Sequence, residues 1–498
     1  MDEDSPMQKF YKGANVFVTG GTGFMGKILI EKLLRSTQVD AIYVLIREKK
    51  GKNAHARIDE LFDNVVFDRL KKETPKFRHR VEPVAGDCSL SGLGLSIDDR
   101  QTLASKIDVV FHAAATVRFD EHIKVAYDVN VNAAKEVVHL ARQMKRLKSF
   151  VHVSTAYSNC PRAEIDEKIY DFPAPYQDVE ALLEKVDELD AERLTSRIIG
   201  QWPNTYTFTK ALAESLVKDI GNGLPVAIFR PSIVVSTYKD PIEGWIDNLY
   251  GPTGVCAAVL SGVMRVFYCH QEKLADLVPV DLCVDCLIAT AWDVSTDKRE
   301  HHQSSEMPVY NYVSSPENPI TWREMINLNY IQGKKYPAAN SLWETFLILT
   351  DNFYVYWILS LFLHTLPGLL VDCFALLTGN KPRMSRIYKK IHKFSMILSY
   401  FASRSWTFSN GNVRNLWEKL DERDKRMFPF SATTLHWLMF FRGYIRGLRV
   451  HLLNENDDTL EIARAKQKRF YVISRVIKYA LLFAACNVLA TIVFGCFY

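Results

Sequence analysis

Residues 16–34 read VFVTGGTGFMGKILIEKLL: an apolar run, three glycines spaced three apart, then an amphipathic stretch of helix length. Each glycine has a task that a side chain would obstruct. Gly20 permits a tight turn after the strand, Gly23 lets backbone N–H groups approach an anion, and Gly26 lets helix and strand pack closely. The N-terminus of that helix faces the anion with unpaired N–H groups and the positive end of its dipole. The pattern predicts a dinucleotide site whose pyrophosphate is held around Gly20, Thr22, Gly23, Phe24 and Gly26.

Working outward, short apolar runs alternate with helix-length amphipathic stretches from Asn15 to about Asn222. NVFVTG, AIYVLIR, VEPVAG, IDVVFHAAA and SFVHVST are the predicted strands. A further strand, PVAIFR, precedes a Pro- and Gly-containing insertion, PSIVVSTYKDPIEGWIDNLYGPTG, which reads as a substrate lobe. This alternation predicts an α/β fold with a doubly wound parallel sheet of the Rossmann type, binding its ligands at the carboxyl ends of the strands.

The end of the second strand discriminates between the two nicotinamide dinucleotides. An NAD site places an acid there to accept from the ribose, whereas this chain has VLIREKK, with Arg47 and Lys49. Positive charge suits a 2′-phosphate, so NADPH is the expected cofactor; the alternative is a solvated basic loop. Asp87, in VAGDCSL after the third strand, either accepts from the adenine amino group or caps a turn.

Tyr206 and Lys210, in PNTYTFTKALAE, are four apart at the start of a predicted helix and so share one face. Hydride addition to a carbonyl creates an oxyanion that needs a proton. A phenol of pKa about 10 is a poor donor until a neighbouring ammonium lowers it, a task for Lys210, which can also hold the nicotinamide ribose. A second such pair, Tyr330 and Lys334, includes a glycine and follows no strand of the sheet, so position selects the first. The preceding strand ends SFVHVSTAY, where Ser154 or Thr155 can hydrogen-bond a substrate carbonyl. Side-chain alternation aims one of the two inward, and Thr155 is the choice.

At 498 residues, with 48% hydrophobic and 24% charged content, the chain has room for two domains and additional segments. A net charge of +5 is small for this length, and no basic helix alternates with aromatics, which argues against a nucleic-acid partner. The one close cysteine pair, Cys283 and Cys286, has no second pair to complete a zinc site; it reads as a buried helix face, and no metal is expected. The N-terminus, MDEDSPMQKFYKG, is acidic rather than basic-then-apolar, unlike a signal peptide.

Two later segments have membrane character. Residues 479–498 carry no charge over 20 positions, roughly what a helix needs to cross the hydrocarbon core. Arg464, Lys466, Lys468, Arg469, Arg475 and Lys478 precede them, which keeps the preceding chain cytosolic. Residues 346–379 are apolar but interrupted by Asp351, His364, Pro367 and Asp372, and read as a helical pair docked on the bilayer or roofing a lipid groove.

Together these blocks resemble the extended short-chain dehydrogenase/reductase superfamily, and more closely the fatty acyl-CoA reductases of animals and plants. The glycine stretch, VVFHAAATVRFDE, FVHVSTAYSNC, NTYTFTKALAE, FRPSIV, GWIDNLYGPTG and LADLVPVD follow that family's order. WTFSNGNVRNLWEKLDERDKRMFPF, then LHW, is similar to the family's second, helical "sterile" domain. Two departures are small: Met25 stands for a commoner leucine and Ser315 for an expected glycine. The resemblance implies an extended reductase domain over residues 11–335, a helical C-terminal domain over 343–460 and a transmembrane helix over 479–498. It implies an NADPH-dependent oxidoreductase that takes long-chain fatty acyl-CoA to the primary alcohol and releases CoA, with Tyr206 and Lys210 as the active-site pair. Membrane lipid is the second expected partner, and no residue pattern assigns an oligomeric state. Endoplasmic reticulum is favoured over peroxisome because no basic residue follows the final apolar run. The rival readings are a membrane-bound hydroxysteroid dehydrogenase, a sugar-nucleotide epimerase, or a catalytically silent lipid-binding scaffold; the first two lack the sterile-type block.

Overall fold

The computed structural model describes residues 4–49, 51–296 and 306–495. Its chain forms two compact units that interleave along the sequence. The first comprises Met1–Trp245, Leu274–Ile320 and Ser405–Leu435; the second comprises Ile246–Lys273, Thr321–Arg404 and His436–Tyr498.

The first unit is built on seven parallel strands: β1 (Asn15–Thr19), β2 (Ala41–Ile46), β3 (Val81–Ala85), β4 (Val109–His112), β5 (Ser149–Val153), β6 (Val226–Pro231) and β7 (Val309–Tyr312). Their order is β7-β6-β5-β4-β1-β2-β3, which is doubly wound and reverses between β1 and β4. In open sheets of this kind the reversal leaves a crevice at the carboxyl ends of the strands. The six runs predicted as strands all form strands of this sheet. The seventh, VYNY, escaped prediction because Asn311 interrupts its aromatic residues. It is buried nonetheless, because Asn311 Nδ2 donates to the Ile165 and Ser409 carbonyls at 3.2 and 2.9 Å. Phe17, Val110, Phe150 and Ile228 face a core shared with Val137, Leu140, Leu212 and Leu216, the last two on the helix that carries Tyr206 and Lys210.

Residues 405–435, which include the WTFSNGNVRNLWEKLDERDKRMFPF block, lie in this unit. Thr407–Phe408 pairs with Glu164–Ile165, Asn412 Nδ2 donates to the Val309 carbonyl at 2.8 Å, and the Tyr312 hydroxyl donates to the Phe430 carbonyl at 2.8 Å. Residues 335–343 lie inside the second unit, within its Thr321–Arg404 stretch. Cys283 and Cys286 lie buried on helix Val280–Thr296, and among the described residues no group of three or more His, Cys, Asp or Glu is arranged for a metal ion. Ser315 needs no glycine-like backbone: the non-glycine residues with positive φ are Leu93 and Asn454, and the Ser315 amide donates to Asp276 at 3.2 Å.

The second unit is helical apart from a short strand pair, Val266–Tyr268 with Ile348–Thr350. Where a helical pair was expected over 346–379, there is that short strand and then one continuous helix, Phe353–Leu377, widened at Leu361–Thr365 into a π turn. Its partner is the following helix, Met384–Ala402. Pro367 does not break the run, because the carbonyl its missing N–H would have met, that of Leu363, accepts from the Arg265 guanidinium at 2.8 Å. The chain ends in helix Leu460–Gly495, which contains most of the expected anchor; residues 496–498 of that anchor lie outside the described residues. Among the described residues, two helical stretches are apolar and long enough to cross a membrane, Phe353–Leu377 and Asp457–Val488.

Candidate active site

At the end of β1 the chain turns sharply through Gly20, whose φ is +76° and whose absent Cβ would lie 2.6 Å from the Ala114 nitrogen beyond β4. A Cβ on Gly26 would overlap the Gly20 carbonyl oxygen. Both positions are therefore closed to any other residue. Gly23 is different: it is exposed and begins helix Phe24–Ser36 without a side-chain cap. The result is a bare backbone cradle at an uncapped helix N-terminus, which suits a pyrophosphate. Thr22 is half-buried within the turn, and the Phe24 ring stacks on Trp245 with centroids 5.4 Å apart.

At the ends of β2 and β3, Arg47 and Asp87 come together, with Arg47 Nε 3.6 Å from Asp87 Oδ2. Asp87 Oδ1 accepts from the Ser89 amide and hydroxyl at 2.9 Å each, so it does cap a turn. The Arg47 side chain is 57% exposed and able to meet a further anion. Lys49 lies in a short antiparallel bridge with Lys52.

The Tyr206–Lys210 pair is placed by a cap. Asn204 accepts from the Thr207 amide at 2.9 Å and starts helix Thr205–Ile220, so Tyr206 sits in the first turn and Lys210 one turn on. The Tyr206 ring stacks on Phe119 with centroids 5.8 Å apart, and the Thr155 side chain is near enough to its hydroxyl to pull its pKa down in part. Lys210 is buried, with Nζ donating to the Val153 carbonyl at 2.8 Å. Ser154 points elsewhere: its hydroxyl donates to Glu214, which also holds Arg230 in a buried ion pair of 2.6 Å and accepts from Ser158 at 2.9 Å. The other strand-end hydroxyl, that of Thr155, accepts from the Tyr157 amide at 3.2 Å.

The electrostatics depart from expectation. Burial pushes Tyr206 up to about 12, and the nearby Thr155 side chain only partly opposes this. The expected lowering by Lys210 is absent, because desolvation dominates at both groups. Burial also pushes Lys210 down to about 8, against the pull of Glu214. Two buried histidines escaped sequence reasoning. His112 and His152 are register partners on β4 and β5, their rings 5.3 Å apart, and burial together with the nearby ammonium pushes His112 down to about 3 and His152 well below its ordinary value. Both stay neutral beside the Lys210 ammonium. Asn130, also missed, sits in a π turn at Asp128–Asn132 and joins the Thr116 backbone to the Thr209 hydroxyl with bonds of 2.9 to 3.2 Å. The π turn is a structural signal that no local sequence pattern announces. The second Tyr–Lys pair is remote in kind: Lys334 lies over the Tyr330 ring at 4.3 Å, and Tyr330 lines a cavity of about 260 Å³ within the second unit.

Comparison with known proteins agrees with this geometry. An NAD-binding domain described as Male sterility protein matches residues 18–287, and the Sterile domain of the same description matches residues 363–455. Fatty acyl-CoA reductase wat of Drosophila melanogaster is 46% identical over 471 residues, covering 95% of this chain and 90% of that protein. The chain belongs to the fatty acyl-CoA reductase family. Human fatty acyl-CoA reductases 1 and 2 are 38% and 34% identical to it, over 92% and 97% of this chain and 88% and 93% of theirs. Among solved structures, the terminal R domain from the myxalamid biosynthetic pathway shares the fold, with a TM-score of 0.57 at 20% identity, covering 89% of this chain and 92% of that one. The reductase domain of a nonribosomal peptide synthetase from Mycobacterium tuberculosis has a TM-score of 0.56 at 19% identity, covering 91% and 97%. For this fatty acyl-CoA reductase family member, the NAD-binding match and the glycine cradle give the cofactor class, a nicotinamide dinucleotide.

Proposed function

We propose that this chain reduces long-chain fatty acyl-CoA to the primary alcohol with NADPH, releasing CoA, at the cytosolic face of a membrane. The observation that carries the reading is the placement of Tyr206 in the first turn of a capped helix, one turn before the buried Lys210, whose Nζ donates to the Val153 carbonyl at the end of β5. NADPH would be held by the backbone of Gly20, Thr22, Gly23, Phe24 and Gly26 at its pyrophosphate, by Arg47 at the 2′-phosphate, by Asp87 at the adenine and by Lys210 at the nicotinamide ribose. When bound, it supplies hydride to the carbonyl carbon.

Tyr206 Oη gives its proton to the oxyanion created in each of two reductions. A phenol near 12 still protonates an alkoxide, whose conjugate acid is weaker, so the raised value keeps the donor charged with its proton at neutral pH. Thr155 orients that hydroxyl and offers a second hydrogen bond to the substrate oxygen, while Ser154 supports the strand end through Glu214. The first hydride and proton make a hemithioacetal from the thioester; its C–S bond breaks, CoA thiol leaves and an aldehyde remains. The second hydride and proton make the alcohol, so two dinucleotides are oxidised per acyl-CoA and no enzyme nucleophile is needed. Helix Leu460–Gly495, with its basic flank, anchors the chain.

The test incubates expressing membranes with NADPH and a panel of acyl-CoAs and identifies products by mass spectrometry. Alcohol formation is expected. Aldehyde as the sole product would limit the reaction to two electrons, and no product from any acyl-CoA would sink the reading.

A further inference from the structure

Helix Phe353–Leu377 hides its polar side and shows its apolar one. Its buried residues are Tyr356, Ser360, His364, Gly368 and Asp372, one every four positions. Outward, Tyr354, Leu370 and Phe374 are 78%, 72% and 69% exposed. On a helix of 3.6 residues per turn, a four-residue repeat drifts by about 40° each time. The π turn at Leu361–Thr365 is wider and takes back part of that drift, which helps hold the stripe to one side.

The polar stripe is met from within its own unit. The Tyr356 hydroxyl hydrogen-bonds His392 Nδ1 at 3.0 Å, and His364 Nε2 accepts from the Arg265 amide at 2.9 Å. Gly368 makes room for the Tyr388 ring, from which a Cβ would be 2.6 Å away. Asp372 accepts from the amides of Arg383, Met384 and Ser385, each at 2.8 Å, and so caps the start of helix Met384–Ala402. The two helices are thus latched at their turn, and the contiguous apolar face points away from protein. A face of this extent marks an interaction surface.

Charge identifies the partner. Lys381, Arg383, Arg386, Lys389, Lys390 and Lys393 are exposed along the turn and the second helix. No acidic residue occurs between Asp372 and Glu418. An apolar face beside a carboxylate-free row of cations fits acyl chains below anionic headgroups.

Topology then decides how deep the helices go. The first unit contains chain from both before and after this segment, since Thr407–Phe408 pairs with Glu164–Ile165. Residues 321–404 must therefore leave and return on the same side. If Phe353–Leu377 crossed the bilayer, Met384–Ala402 would have to carry Arg386, Lys389, Lys390 and Lys393 back through hydrocarbon, each at high cost.

We propose that helices Phe353–Leu377 and Met384–Ala402 form a hairpin that enters one leaflet without crossing it, apolar face among the acyl chains and basic row at the phosphates. It is a membrane contact separate from the C-terminal helix and independent of the substrate reading.

The test uses the full chain in sealed microsomes and a membrane-impermeant maleimide, with labelled sites read by peptide mass mapping. Cys373 is exposed beside Phe374, and Lys381→Cys adds a thiol at the turn. The turn thiol should label in intact vesicles, and Cys373 only after detergent dissolves the membrane. A turn thiol that labels only once the lumen is opened would mean a crossing and overturn the proposal. Cys373 labelling as fast as the turn thiol in intact vesicles would mean a wet face and overturn it equally. Protection by another protein is separated by purified full-length protein in phosphatidylcholine–phosphatidylserine nanodiscs with a fluorophore on Cys373. Quenching by a lipid-tethered spin label supports insertion; its absence overturns it.

Discussion

Lys210 Nζ donates a 2.8 Å hydrogen bond to the Val153 carbonyl, which fixes the ammonium to the strand that presents Thr155 two residues later. Burial holds this lysine near 8, below its ordinary value, so its charge is present at lower pH and is lost as pH rises through that point. If the charged form holds the ribose, kcat/KM for NADPH should fall on the alkaline side with a midpoint near 8. Steady-state kinetics from neutral to alkaline pH measure this, and a flat profile there would remove Lys210 from cofactor binding.

Tyr206→Phe removes a hydroxyl and keeps the ring that stacks on Phe119. Alcohol formation and reduction of added aldehyde should both fall by about 10²–10⁴, the usual contribution of a positioned acid, while NADPH binding persists. Tyr330→Phe, in the pair carried by the second unit, should stay within about twofold. Near-normal turnover by folded Tyr206→Phe enzyme would place the proton donor elsewhere.

Arg47→Asp sets a second carboxylate against Asp87 and removes the cation proposed for the 2′-phosphate. The KM for NADPH should rise by about tenfold or more, about 1.4 kcal/mol, with NADH use unchanged or improved. Equal use of both dinucleotides by the unmutated protein would contradict the assignment.

Glu167 ties two distant segments together, accepting from the Asn311 amide at 3.0 Å and from the Asn412 amide at 2.6 Å. Burial nevertheless pushes it up from 4.5 to about 7. Because the folded value lies above the unfolded one, the folded state keeps the proton longer, and this residue's contribution to stability declines as pH rises across that interval. Glu167→Gln removes the titration and should flatten the decline in Tm over the same range; an unchanged slope would count against it.

The glycine turn and the Tyr206–Lys210 pair were legible because each is a local pattern whose spacing already contains its geometry. The preference for Thr155 over Ser154 came from strand alternation alone, and Ser154 indeed faces Glu214. Other features depend on contacts between residues far apart in sequence. Nothing within residues 405–435 announces that they pair with Glu164–Ile165, and β7 carries a polar residue whose partners come from two other segments. The direction of the Tyr206 shift was misread for a related reason: desolvation is set by everything packed around a group, whereas a neighbour four residues away is visible in one dimension.

The interleaving has a consequence for synthesis. The chain leaves the first unit after Trp245 and does not finish supplying it until Leu435, 190 residues later (435 − 245). At ribosomal rates of roughly 5–20 residues per second, that interval is on the order of 10–40 s. Throughout it Tyr206, Lys210 and Thr155 already exist while strand β7 and the segment that covers it are still arriving. A premature stop between Pro231 and Leu435 would thus leave Thr155, Tyr206 and Lys210 encoded yet deny the sheet its last strand, its cover, or both. Genetic lesions in that interval should be as severe as those that strike the three proposed site residues.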